Sequence, residues 1–324
     1  MTERRPTAEG VAAAAKRVAP YVTRTPLLPL EWGGGRVWIK AECLQQGGSF
    51  KLRGAFNRLL QLTDQERARG VVAFSSGNHA QGVALAARKL GIAATIVMPA
   101  DAPAVKRDAT LAAGAEIVAY DRATGSREAI GARLAAERGC VLVPSFDDVD
   151  VIEGQGSAGV EIGEQFGHTP DKILVPCGGG GLSAGIAIAL PEAEVVTVEP
   201  AGWDDMARSI EAGEPVPLVE PAPPTRCDAL QTKLVSPLTV GALRDNGARG
   251  VSVTEEEIEV AMAHAARHLR IVAKPGGSVA LAALLAGKAG AVSERTVVVV
   301  SGGNVDPALY AGILARQAAA RPGA

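Results

Sequence analysis

The chain has no paired cysteine motif. Cys43, Cys140, Cys177 and Cys227 are widely scattered and form no CxxC unit, which argues against a disulfide-stapled scaffold and for reduced thiols in a cytoplasmic protein. Neither sign of charge is in excess: 33 Lys and Arg stand against 35 Asp and Glu, a net charge of −2. Nothing therefore suggests a polyanionic partner, whether nucleic acid or anionic membrane. No run of eighteen apolar residues offers a membrane span. The opening stretch, residues 1–22, mixes Arg4, Arg5, Lys16 and Arg17 with Glu3 and Glu9 and has no continuous apolar core, so it does not read as a secretory leader. There is no internal repeat and no low-complexity linker, only a Pro-rich stretch at 214–225 that reads as a surface excursion. What remains is a 324-residue chain, 47% hydrophobic, able to bury a large core as a catalytic protein does.

Strand-like and helix-like segments alternate, as in Ile96-Val97-Met98, then Val105 to Ala113, then Ile117-Val118. That alternation predicts an α/β fold with open, mostly parallel sheets and helices on both faces. The length exceeds one typical domain. Two are expected: a large one from residues 1–68 and 149–324, and a small mobile one from 69–148 inserted into it, with the site in the cleft between them.

Four segments carry chemistry. In Gly48-Ser49-Phe50-Lys51-Leu52-Arg53-Gly54, a lysine follows a tight small-residue turn, a way to present an amine to a carbonyl compound such as pyridoxal phosphate. A solvated lysine at a helix start would look the same. Ser75-Ser76-Gly77-Asn78-His79-Ala80-Gln81-Gly82 follows the apolar run Val71 to Phe74 and opens an Ala-rich helix. Exposed amides and the helix dipole there suit a carboxylate or phenolate, although Ser76 or Asn78 acting as an ordinary N-cap explains the pattern equally. Gly178-Gly179-Gly180-Gly181-Leu182 follows the strand-like Lys172 to Pro176 and lets backbone N–H groups wrap a phosphate. With Glu199 about twenty residues on, it also fits a dinucleotide fingerprint. A nicotinamide enzyme thus competes locally, but its scheme has no role for Lys51 or the Ser75 loop. Ser301-Gly302-Gly303-Asn304 follows the buried-type strand Thr296 to Val300, at the strand end where α/β sheets bind ligands.

In this order and spacing, the four segments resemble the serine/threonine dehydratase and serine racemase family of pyridoxal-phosphate enzymes, of the tryptophan-synthase-β-like fold type II. The likeness extends to Arg24-Thr25-Pro26-Leu27, Lys40-Ala41-Glu42, Phe146-Asp147-Asp148 and Gly154-Gln155-Gly156, nearly the whole chain. It implies that Lys51 holds the cofactor as a Schiff base and then moves the substrate's Cα proton. Phe50 would back the pyridine ring, Asn78 would bond its phenolic oxygen, and Gly178, Gly179, Gly180, Gly181 and Leu182 would hold the phosphate. Ser301 would face the ring nitrogen, a hydroxyl contact that favours β-elimination over transamination. Ser75, Ser76, Asn78 and His79 would take the substrate carboxylate, with Arg127 reaching the substrate side. Ser76 stands where racemase-like members keep a second acid/base.

Glu199, the Trp203 carbonyl and Asp205 resemble the divalent-cation site of the racemase-like branch, a hard oxygen set for Mg²⁺ or Ca²⁺. Capping of a helix by Asp204 and Asp205 is the plainer account. The resemblance implies β-elimination of a threonine- or serine-type hydroxy-amino acid to a 2-oxo acid and ammonia, in a homodimer. Racemisation is the alternative, as is another 3-hydroxy substrate. A cofactor-binding sensor without turnover is a further class. The chain also ends soon after Ser301, where feedback-controlled relatives carry a regulatory domain. Two positions depart from the family: Gly47, usually Thr or Ser, and Lys274, usually glutamate. The charge reversal at Lys274, with Arg127, makes an acidic β-substituent such as that of 3-hydroxyaspartate plausible, without excluding phenylserine.

Overall fold

A computed structural model describes residues 4–320 apart from Ser76 and Pro103, which lie outside the described residues. Ten strands are found among them: β1 (Leu27–Trp32), β2 (Gly35–Ala41), β3 (Val71–Phe74), β4 (Ala94–Pro99), β5 (Glu116–Tyr120), β6 (Val141–Leu142), β7 (Lys172–Pro176), β8 (Glu194–Pro200), β9 (Arg249–Val253) and β10 (Thr296–Val300). They form a six-stranded sheet in the order β1-β2-β10-β7-β8-β9 and a four-stranded sheet in the order β5-β4-β3-β6. All pairings are parallel except β1 with β2, a hairpin closed by Gly33 and Gly34 at φ 58° and 83°. Residues 71–142 supply the whole four-stranded sheet; both flanks supply the other.

The central strands are apolar along their length because helices cover both faces. β4, β7 and β10 are buried at every position, whereas β5, at an edge, exposes Glu116 and Ala119. Separate apolar cores lie on each sheet. Leu52, Phe56, Val83 and Ile96 belong to the core of the four-stranded sheet, and Ile173, Val175, Leu182 and Val297 to one core of the larger sheet.

The helix Val149–Phe166 lies against both Lys51–Leu60 and Gly181–Ala189. Glycine lets the backbones meet. A Cβ on Gly154 would stand 2.7 Å from the Cα of Gly54, and one on Gly185 would stand 2.5 Å from the backbone nitrogen of Gly156. The Gln155 side chain reinforces the first contact by accepting from the Gly54 N–H at 3.1 Å. The helix that begins at Lys51 and the helix that follows the glycine loop are thereby referenced to one another through a common rod. The carboxyl ends of β3, β7 and β10 open onto one cleft, as in other open α/β sheets.

Candidate active site

The cleft has a volume of about 850 Å³ and is walled by loops of both sheets. That is room for a cofactor and a small substrate together. Lys51 stands at the first position of its helix, with Phe50 as N-cap. Its amine donates to the Ser145 carbonyl at 2.7 Å and sits 5.1 Å from the centre of the Phe50 ring. Burial, and then the positive charge of Lys274, push this amine down to about 7. A substantial neutral fraction is thus present near pH 7, as a nucleophile or base requires.

The glycine loop forms the opposite wall. The helix Gly181–Ala189 has Gly180 as N-cap, at φ 84° and with no side-chain capping bond, so its first N–H groups face the cleft uncapped. At Gly179 and Gly180 a side chain would displace a neighbour. A Cβ at Gly179 would come within 2.2 Å of the Phe146 ring, and one at Gly180 within 2.4 Å of the Met206 methyl. A shaped backbone cradle on a helix N-terminus suits the phosphate group of pyridoxal phosphate, and the buried amine across the cleft suits its aldehyde.

The helix Asn78–Leu90 gives a second uncapped N-terminus on the four-stranded-sheet side, its N-cap being Gly77 without a capping bond. Ser75 Oγ accepts from the Gly77 N–H at 3.1 Å. His79 is buried, with Nε2 on the Val143 carbonyl at 2.8 Å and Nδ1 without a partner. A carbonyl partner makes Nε2 the N–H nitrogen, so Nδ1 is an acceptor. Burial, then the charge of Lys51, hold this imidazole down to about 3, and it is neutral. Arg127 starts the helix Arg127–Arg138 at the cleft edge, paired with Glu128 at 2.7 Å and 6.0 Å from the Phe74 ring centre. Ser301 lines the cleft at the end of β10, its carbonyl accepting from the Phe50 N–H at 3.3 Å. Ser76, expected here, lies outside the described residues.

Four similarities accompany this geometry. A family described as pyridoxal-phosphate dependent enzyme matches residues 18–303. The protein belongs to that family. An L-threo-3-hydroxyaspartate ammonia-lyase of a Pseudomonas species is 42% identical to it, over 94% of this chain and 97% of that enzyme. The enzyme of the same name from Saccharomyces cerevisiae is 39% identical, over 95% of this chain and 96% of its own. Maize serine racemase superposes with a TM-score of 0.89 at 34% identity, over 98% of this chain and 99% of that one. Fold type II, two mostly parallel sheets with helices, is thereby established.

Within this family member, Asn304 is a contact that sequence reasoning missed. Its side-chain amide donates to the Gly47 carbonyl at 2.7 Å, to Gln81 Oε1 at 2.9 Å and to Asn78 Oδ1 at 3.2 Å, joining the lysine loop to the Asn78 helix. Gly47 and Gly48 both have positive φ, 73° and 72°, which accounts for glycine at position 47. Only the residues that Asn304 meets across the fold reveal its role.

Of the predicted cation residues, Glu199 and Asp205 lie near one another below the glycine loop, away from the cleft. Glu199 and Asp205 are wholly buried. Both Glu199 oxygens accept from the N–H groups of Met206 and Ala207 at 2.9 Å, so Glu199, from β8, caps the helix that Asp204 and Asp205 had been candidates to cap. Neither Asp205 oxygen has a partner. Burial raises both carboxyls, Glu199 well above its ordinary value and Asp205 to about 7. Among the described residues no group of three His, Cys, Asp or Glu side chains is poised for a metal. Two carboxylates and a main-chain carbonyl remain a hard oxygen set, and the orphaned Asp205 oxygens are the observation that fits a cation.

Proposed function

We propose that the protein catalyses β-elimination of a hydroxy-amino acid of the threonine or serine type, giving a 2-oxo acid and ammonia. The observation that carries this reading is the Lys51 amine, largely desolvated and lowered to about 7, facing a glycine cradle across one cleft. Pyridoxal phosphate supplies, when bound, an electron sink that makes the substrate's Cα proton acidic. Gly178, Gly179, Gly180, Gly181 and Leu182 would present their N–H groups to its phosphate, Phe50 would back the ring, Asn78 would meet its phenolic oxygen, and Ser301 its ring nitrogen. Lys51 removes the Cα proton, and its conjugate acid has the Ser145 carbonyl as a ready acceptor.

The start of the Asn78 helix takes the substrate carboxylate in this scheme. Ser75 and Asn78 contribute side chains. His79 contributes its main-chain N–H, because its ring is engaged with Val143 and presents only an acceptor nitrogen. The unit at 69–148 closes over the substrate against the unit formed by 1–68 and 149–324, carrying Arg127 inward; that all four strands of the smaller sheet fall in 71–142 supports this division. Glu199, Asp205 and the Trp203 carbonyl would hold Mg²⁺ or Ca²⁺ as a structural ion behind the cradle. Homodimeric assembly and residence in the cytoplasm belong to the same reading, which four free cysteines accompany.

The deciding experiment is a 2-oxo acid assay over L- and D-threonine, serine, 3-hydroxyaspartate and phenylserine, with pyridoxal phosphate added. Lysine-dependent formation from at least one of them is expected. Silence across the whole set sinks the proposal and leaves a racemase or a sensor. Racemisation is a second reading, favoured by the full-length match to a serine racemase; a proton exchange at Cα without 2-oxo acid would select it.

A further inference from the structure

Lys274 is the unusual charge in the cleft. Its side chain is only 4% exposed, and it caps the N-terminal end of the helix Pro275–Leu285, the end at which the helix dipole opposes a cation. Its backbone is pinned beside the Ser301 loop, the N–H donating to the Gly302 carbonyl at 3.0 Å. The root of this side chain is thereby fixed in the cleft wall, and the side chain itself is enclosed there. Burial of an unpaired ammonium costs several kcal/mol, so some anion must always accompany it.

In the structure that anion is Asp228, whose Oδ1 lies 2.9 Å from Lys274 Nζ. Asp228 is a different kind of residue. Its side chain is 41% exposed, it lies in the irregular segment between the helices Asp205–Ala212 and Pro237–Asn246, and its other oxygen is held at 2.5 Å by Lys106. Lys106 belongs to the helix Ala104–Ala112, which packs against β5 of the four-stranded sheet. Burial raises Asp228, but Lys274 and Lys106 together outweigh it and hold the carboxyl down to about 2, so it is an anion throughout the working range. A buried cation is thus balanced by an accessible anion that has a second partner across the cleft.

Such an arrangement discriminates among substrates by what they can offer Lys274. The methyl group of threonine or the hydrogen of serine cannot replace Asp228 without stranding the ammonium. A second carboxylate can. The other cations on the wall discriminate less: Arg127 is 44% exposed and paired with Glu128, and Lys233 is 73% exposed and paired with Glu220.

We propose that Asp228 is an exchangeable counter-ion, which yields Lys274 to the distal carboxylate of a dicarboxylic 3-hydroxy-amino acid and keeps its hold on Lys106. Lys274 is then the specificity-determining residue, and Asp228 and Lys106 set how readily it is released. The Asp228–Lys106 bond persists through the exchange, so the smaller sheet stays tethered to the 228 segment while the substrate is enclosed. This inference rests on the elimination reading for its substrate, but its charge exchange can be measured without turnover.

The test is calorimetric binding of succinate and of butyrate to the holoenzyme and to three variants, beside kcat/KM for threo-3-hydroxyaspartate and threonine. Succinate is expected to bind in preference to butyrate. Asp228→Asn removes the competing anion and is expected to tighten succinate several-fold, whereas Lys106→Met leaves Asp228 to Lys274 alone and is expected to weaken it. Lys274→Met is expected to abolish the preference and to lower the hydroxyaspartate-to-threonine ratio of kcat/KM by about 10- to 100-fold, the usual weight of a hydrogen bond to a charged group. Asp228→Asn and Lys106→Met are read independently of whether Lys274→Met folds. If those two shift succinate in the same direction, or if succinate and butyrate bind alike, the exchange does not occur. Loss of 2-oxo acid from every substrate alongside intact succinate exchange would instead overturn the elimination reading.

Discussion

Lys274 lowers the basicity of Lys51, second only to burial itself. Two amines sharing a desolvated wall repel, and the one without a carboxylate partner gives way. The expected consequence is a Lys51 that reacts as a free amine near neutrality. Labelling of the cofactor-free protein with pyridoxal and borohydride, read by peptide mapping, should rise for Lys51 through about pH 7 and for surface lysines only near their ordinary value of about 10.4. Lys274→Met removes the repulsion and should move the Lys51 midpoint upward; a downward shift would contradict it. Stability follows in sign. The unfolded chain binds more protons at this lysine between about 7 and its ordinary value, so the cofactor-free protein gains stability as pH rises through that window, and the cost is complete below it.

The helix bearing Lys51 is held by a charge network in which only Glu161, 14% exposed, reaches solvent. Arg53 and Glu42 are both 0% exposed and form a two-pronged pair at 2.8 Å, and Arg53 also meets both oxygens of Glu161 at 2.8 Å. Lys40 completes the set at 2.6 Å from Glu161. Two cations and two carboxylates balance. Arg53→Met is expected to strand Glu42 and to cost about 3–5 kcal/mol, which a denaturant titration would detect. Double replacement of Arg53 and Glu42 by apolar residues should recover part of that loss. A single substitution that proves neutral would show the network to be dispensable.

The glycine cradle makes a size prediction. Gly179→Ala drives a methyl into the Phe146 ring, and the loop must open to admit it. Cofactor affinity is expected to fall at least 10-fold, measured by absorbance titration, while the far-ultraviolet dichroism stays unchanged. A pairing of Gly179→Ala with Phe146→Ala should restore part of the affinity because the obstruction is that ring. Affinity equal to wild type in the single variant would mean that the amides of this loop do not contact the phosphate.

Asp205 makes a prediction about cations. A wholly buried carboxylate without hydrogen bonds is costly unless an ion answers it. Mg²⁺ or Ca²⁺ is expected to raise the melting temperature of the wild-type protein and chelation to lower it. Asp205→Asn should remove the response to both while keeping the fold, since Glu199 still caps the following helix. Equal melting temperatures with chelator and with either ion would show that nothing binds there.

Much of this arrangement was legible in the chain because it is local. Four consecutive glycines after a buried run, or a serine-rich turn before an Ala-rich helix, announce a strand end and a helix start together, and β3, β7 and β10 lie where those patterns put them. The rest is made of meetings between distant residues. Nothing near position 228 marks it as the partner of both Lys106 and Lys274, and the helix-capping role of Glu199 arises only because β8 carries it beneath Met206. The parallel pairing of β2 with β10 is likewise set by the closing of the chain on itself, and the Trp38 indole N–H reaches the Glu294 carbonyl, 256 positions away, just ahead of β10. His79 shows the same limit within one residue. Its place in the loop is local information, but the direction of its ring is decided by Val143.

Asn304 supplies the last prediction, because it ties one backbone carbonyl of the lysine loop to two side-chain oxygens of the Asn78 helix. Its carboxamide gives two hydrogens to acceptors on the lysine loop and on the Asn78 helix, and its oxygen occupies the space that a Cβ on Gly48 would need. Asn304→Asp keeps the shape but loses the donors, and sets a carboxylate against the Gly47 carbonyl, Gln81 Oε1 and Asn78 Oδ1. Repulsion should spread the two loops. The expected result is a rise in KM with a smaller fall in kcat and faster cofactor exchange, since the reacting lysine is untouched while the loops around it loosen. Asn304→Ala, which removes the donors without adding charge, should fall between wild type and Asn304→Asp in each measurement. Were Asn304→Ala the more damaged of the two, volume at this position would matter more than hydrogen bonding, and the tie described here would not be what holds the loops together.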